Sequence, residues 1–259
     1  MDIGWQQVAD SVARQPKYPN QQLRSVSIET YFPGRLRALS ALGDVQDAVE
    51  DALPNLFVPN IQPGESVALR PYQLRDEEQK RSLAVSVNQV TYVSFDYPGF
   101  DAFSAEALPL VGAVLSAIKP KKLNRVVYRY ENEVGIARES GGALPVDRIF
   151  PGILPRVFSN DGEIGPCRSL DIGAEHHWKD GDAEGVRGFH AWLDESSGTP
   201  SLRVAVLGVV ENCDGVTDLP RATKAAHRVS VGLFESLISD EYRRFISSVR
   251  EEQDDAGDE

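Results

Sequence analysis

Residues 121–136, KKLNRVVYRYENEVGI, are the stretch from which the fold can be read. Taken with a period of two, Val126, Tyr128, Tyr130 and Val134 share one side. Arg125, Arg129, Glu131 and Glu133 share the other, with Val127 among them. Such alternation belongs to a strand with one side on a core and the other toward water. An apolar helical stretch precedes it and a Gly/Pro-rich passage follows, which places the strand in the middle of a sheet.

Toward the N-terminus, residues 103–118 carry Phe103, Ala107, Leu110, Val111, Val114, Leu115 and Ile118, a wide helical stripe that Pro109 is expected to kink. Ahead of it, three strand-like runs cover 66–75, 81–87 and 90–97, joined by DEEQK and by Asn88-Gln89 and ended by Tyr97-Pro98-Gly99. Residues 56–64, with prolines around them, read as a connection. Leu39, Leu42, Val45, Val49 and Leu53 mark a helix over 35–53 that Gly43-Asp44 divides. Residues 23–32 read as the first strand and residues 5–12 as a short helix.

Toward the C-terminus, prolines at 145, 151 and 155 enclose a helical turn or two over 146–154. A turn at Asn160-Asp161-Gly162 leads to strands over 165–178, 186–193 and 202–212, joined by KDGDAEG and ESSGTPS, both of turn composition. Ala222, Ala226, Val229, Leu233 and Leu237 define a long helix, and Ser239-Asp240 caps a short last one. A three-strand meander followed by a helix therefore occurs twice. The reading is an α+β fold of mainly antiparallel sheets, built as two similar layers in one sheet system with helices on one face. Residues 1–136 make the first half and 137–248 the second, packed as one domain. Residues 249–259 form an acidic disordered tail, either simply solvated or a docking arm.

Over 259 residues the net charge is −12, with a pI near 4.9. That balance argues against a general binder of phosphate backbones, which needs clustered Lys and Arg. Cys167 and Cys213 lack CxxC spacing and a secretory context, so they read as free thiols of a cytoplasmic protein. The N-terminus lacks the long apolar core of a signal peptide. No stretch is expected to reach the roughly 20 apolar residues of a membrane span.

Motifs for chemistry are sparse. His176, His177 and His190 with Glu175 and Asp171 are the best metal candidates. His176 and His177 face opposite sides of a strand, and HExxH and Cys/His pairs are absent, so no metal site is expected. The loop 180–184, DGDAE, lacks calcium-ligand spacing and reads as a hairpin turn. GxSxG, SxxK, GxxxxGK[ST] and GxGxxG are all missing, and no cofactor is expected. His227, on the C-terminal helix one turn before Val231, reads as a helix histidine bonding a neighbour, or as a base if a cleft and an acid adjoin it. Arg125, Arg129, Tyr130 and His227 together are the candidate ligand-binding residues, because clustered Arg and Tyr suit a nucleotide-like anion.

Five segments carry a resemblance. They are Tyr18-Pro19 leading into LRSVSIETYF, the hairpin LAVSVNQVTYVSFDY, YPGFDAF, LNRVVYRYENEV and AAHRVSVGLFESLISDEYRRFI. Together, in this order, they resemble a sporadically distributed family of uncharacterised bacterial proteins. The resemblance implies a cytosolic α+β protein of this length, from mobile, defence-linked or toxin-associated cassettes. It carries over no catalytic residues. Asn124, Arg125, Arg129, Tyr130, Asn132, His227 and Phe234 coincide with its motifs.

Two functions follow as expectations. One is a non-catalytic accessory subunit that binds another protein through edge strands, or pairs as a homodimer through helix faces. The other is a sensor or enzyme for a small anionic ligand beside the central strand. The missing catalytic grammar favours the first.

Overall fold

The computed structural model describes residues 23–57, 71–136, 144–153, 169–194 and 200–248. The expected N-terminal helix, the start of the 66–75 run, the turn at 160–162, most of the 194–200 connection, Cys167 and the acidic tail lie outside these residues.

The organising stretch forms β6 (Leu123–Gly135), a strand of thirteen residues. It lies between β1 (Leu23–Tyr31) and β9 (Ser201–Cys213), antiparallel to both. Around them the described strands make one nine-stranded sheet. On the β1 side follow β5 (Gln89–Ser94), β4 (Arg81–Val85), β3 (Tyr72–Arg75) and β2 (Asn55–Phe57). On the β9 side follow β8 (Ala183–Asp194) and then β7 (Asp171–Asp180) at the far edge. Every pairing among the described strands is antiparallel, which short hairpins dictate for β3–β4, β4–β5 and β7–β8. The two halves thus lie side by side in one sheet system, as the sequence suggested.

Pairing register fixes which side chains share a face, because alternate residues point opposite ways. Ile28 sits opposite both Tyr92 and Tyr128, and Tyr92 opposite Leu83, which faces Leu74. This side of the sheet carries every long helix. α3 (Phe100–Ile118) buries Phe103, Ala107, Val111, Val114, Leu115 and Ile118 against it. α5 (Leu219–Leu237) buries Leu219, Ala222 and Ala226 in the same core, then Leu233, Phe234 and Leu237 in a second core further along. The second core also holds α4 (Val146–Ile149) and α6 (Asp240–Ser247), whose N-cap Ser239 accepts a bond from the Tyr242 backbone N–H. One helix therefore spans both halves. At Gly208 the backbone of α5 lies on β9: a Cβ there would stand 2.1 Å from the Ala226 carbonyl oxygen.

Three expectations need correction. The helix over 35–53 is two short ones, α1 (Arg37–Ser40) and α2 (Leu42–Asp47), which break at Ala41 rather than at Gly43-Asp44. Leu56 and Phe57, expected in a connection, belong to β2 (Asn55–Phe57); its burial shows no alternation, so periodicity carried no signal for it. By length and mean hydropathy α3 meets the requirement for a bilayer span, against the sequence expectation, although much of it packs on the sheet.

The two halves repeat one plan. β1 is followed by helices, a meander ending in β5, and α3; β6 is followed by α4, a meander ending in β9, and α5. Each opening strand pairs with the last strand of its own meander, and the opening strands pair with each other. Val26 faces Ser94 as Val126 faces Val210. Five residues on, Gly99 and Gly215 turn the chain into α3 and α5 with φ of 115° and 118°, a region that disfavours side chains. Tyr97 and Cys213, two residues before each glycine, are both buried. A near two-fold axis thus passes through the Ile28–Tyr128 pair, normal to the sheet.

Candidate functional site

The sheet divides the four sequence candidates. Tyr130 faces the helices, whereas Arg125 and Arg129 face the uncovered side. Tyr130 and His227 meet, and a single pocket of all four does not form.

On the covered side, Tyr97, Tyr128 and Tyr130 converge. The Tyr128 hydroxyl donates to the Tyr97 oxygen at 3.2 Å, and the Tyr97 and Tyr130 oxygens are 2.9 Å apart. The Tyr130 oxygen lies 2.9 Å from His227 Nδ1. Each phenol has one proton, so with Tyr128 donating first the order is Tyr128 to Tyr97 to Tyr130 to His227. His227 then accepts at Nδ1 and carries its proton on Nε2. Its ring stacks on Phe100 with centroids 3.9 Å apart and 7° between planes. Burial drives the imidazole pKa down to about 4, partly opposed by Asp101, and pushes the Tyr128 and Tyr130 phenols well above their usual range. All four groups are neutral near pH 7. The tyrosine hydroxyls end inside the core, and the neighbour that His227 bonds is a phenol.

The uncovered side carries an ion ladder along β6. Arg129 Nε meets Glu29 at 2.9 Å, and Tyr31 donates to the same carboxylate at 2.6 Å. Arg125 lies over the Tyr31 ring at 4.0 Å from its centroid. Burial and the bond to Glu29 raise the Tyr31 phenol to about 12. Further along, Arg24 meets Glu133 at 2.8 Å, and Arg203 reaches Asp194 at 2.5 Å and lies near Glu131 and Glu133. In two of these pairs the guanidinium stands well above its acid, whereas Arg203 sits level with Asp194 and lower than Glu131. Arg129 is 40% exposed above Glu29 at 8%, and Arg24 is 43% exposed above Glu133 at 9%. In an acidic protein, this face presents arginines.

Sequence reasoning missed Tyr97, Phe100 and Glu29. Tyr97 and Phe100 sit in YPGF, which reads only as the end of a meander. Glu29 has no signal in its own strand, because its partner Arg129 lies 100 residues away. The histidines do not gather: His176 sits opposite Arg187 and His190 opposite Gly173, on different faces. His190 instead binds Asp171 at 2.8 Å and stacks on Trp192. Among the described residues no group of three metal-binding side chains forms. Cys213 is buried, and that burial pushes its thiol up to about 11. No protein-family model matches the chain, and no curated protein matches it.

Proposed function

We propose that this protein is a non-catalytic subunit that holds another protein against the uncovered face of its sheet. The observation that carries the reading is the set of exposed guanidiniums on one face: Arg125 over the Tyr31 ring, and Arg129 and Arg24 above the sunken carboxylates of Glu29 and Glu133. A guanidinium already oriented by a buried acid has little freedom left to lose, and its remaining N–H groups suit carboxylates on a partner. The partner is therefore a polypeptide that presents acidic side chains, and the cassette setting implied by the resemblance is where it is to be sought. Arg125 is the residue to test, because it is exposed and rests on an aromatic ring rather than on a buried acid. In pull-downs from the native host, the wild-type chain retains a stoichiometric partner that Arg125→Glu loses and Arg221→Glu, on α5, keeps. Equal retention by both variants refutes the reading.

A second reading, a sensor or enzyme for a small anion, rests on the Tyr130–His227 contact alone, since the two arginines lie across the sheet. A thermal-shift panel of nucleotides tests it: a ligand that favours the native state raises the midpoint, and a flat panel removes this alternative.

A further inference from the structure

The internal two-fold exposes an inequality between the halves. In the first, β2 lies along the outer edge of β3, with Asn55, Leu56 and Phe57 opposite Arg75, Leu74 and Gln73. Carried through the pairings, Tyr72 corresponds to Ala174, so those three positions of β3 correspond to Glu175, His176 and His177 of β7. β7 pairs with β8 alone, and no described strand lies where β2 would be. It is an edge of ten residues without proline, exposed at most positions. Such an edge presents a row of backbone groups ready to accept another strand.

We propose that the occupant is a second copy of this chain, added antiparallel through β7 on a two-fold axis that passes Glu175. The choice rests on the self-complementarity of the strand. With Glu175 facing its own copy, Asp171 faces Lys179 twice; Trp178 leans inward, its Nε1 donating to the Val209 carbonyl at 3.1 Å, and leaves that seam to the charges. Gly173 then faces His177, and Ala174 faces His176. Cross-strand charge pairs of this kind stabilise a sheet, and residues of like parity keep the helices of both copies on one side. Shifting by two residues in one direction sets Ile172 against Asp180. Shifting in the other loses both Asp171–Lys179 pairs. Lys179 reaches Glu184 only at 4.0 Å, and the partner of Asp171 at home, His190 at 2.8 Å, is itself exposed. The single mismatch is Glu175 against itself. The result is one continuous sheet across two chains, with both arginine-bearing faces on the same side.

The test is sedimentation equilibrium of the full chain over a range of concentrations. Wild type dimerises. Lys179→Asp and Asp171→Lys each weaken the dimer by about tenfold, because two attractive pairs become two repulsive ones. The double variant Asp171→Lys/Lys179→Asp restores it, and Glu175→Gln tightens it by removing the one like-charge contact. Amide exchange over residues 172–178 slows on dimerisation, which separates this edge from the helix faces. A wild-type chain that stays monomeric, or a dimer indifferent to these changes, overturns the proposal. The inference stands apart from the uncovered-face reading: Arg125→Glu leaves the dimer intact, so either can fail alone.

Discussion

His227 enters the folded state without its proton. Its folded pKa of about 4 lies below the ordinary histidine value of 6.5, so the unfolded chain takes up a proton first as pH falls. The stability this group contributes is complete above pH 6.5 and drains away as pH drops toward 4. Chemical denaturation at pH 7.5 and pH 5 measures that loss as on the order of 2 kcal/mol. His227→Gln keeps an acceptor for the Tyr130 hydroxyl and removes this part of the pH dependence. At the other face, Arg129→Ala leaves the Glu29 carboxylate buried without its counter-charge, which costs about 2–4 kcal/mol in denaturant titration. Adding Glu29→Gln recovers part of it, since a neutral amide needs no counter-ion.

At the scale of the element, the contact between α5 and β9 is set by one missing side chain. Gly208→Ala drives a methyl into the Ala226 carbonyl, and since backbone lies on both sides the expected loss is about 3 kcal/mol in thermal or urea melts. Gly232→Ala, on the same helix with nothing within 4 Å, stabilises by about 0.5–1 kcal/mol. Helices and inner strands were legible in sequence because each owns a periodic face: β6, β9, α3 and α5 were all located within a few residues. Where a segment owns no such face, sequence was silent. β2 is exposed throughout and exists because β3 offers it an edge, and α1 and α2 part at an alanine that no breaker residue marks. The same limit governed the site. Strand parity separated Arg129 from Tyr130 in the sequence itself, but the partners Glu29 and Tyr97 lie 100 and 33 residues away, and only the fold joins them.

For the whole molecule, the decisive property is that the repeat shares its seams. β1 and β6 pair along nearly their full lengths, and α5 plugs the core of the first half with Leu219, Ala222 and Ala226 before reaching its own. Neither half keeps a closed core without the other. Fragments 1–140 and 141–259 are accordingly expected to be unfolded alone by circular dichroism and to regain the native spectrum when mixed. The intact chain is expected to melt in a single transition, with near- and far-ultraviolet signals coincident. Two separated transitions would contradict this sharing.

The phenol trio gives that experiment a built-in indicator. Tyr97 comes from the first meander, Tyr128 and Tyr130 from the seam, and the imidazole that terminates their chain from the second half. Their rings stand edge to face in a dry, asymmetric setting that exists only while α5 is seated. Docking of one half upon the other can therefore be followed in unlabelled protein through tyrosine's own optical activity.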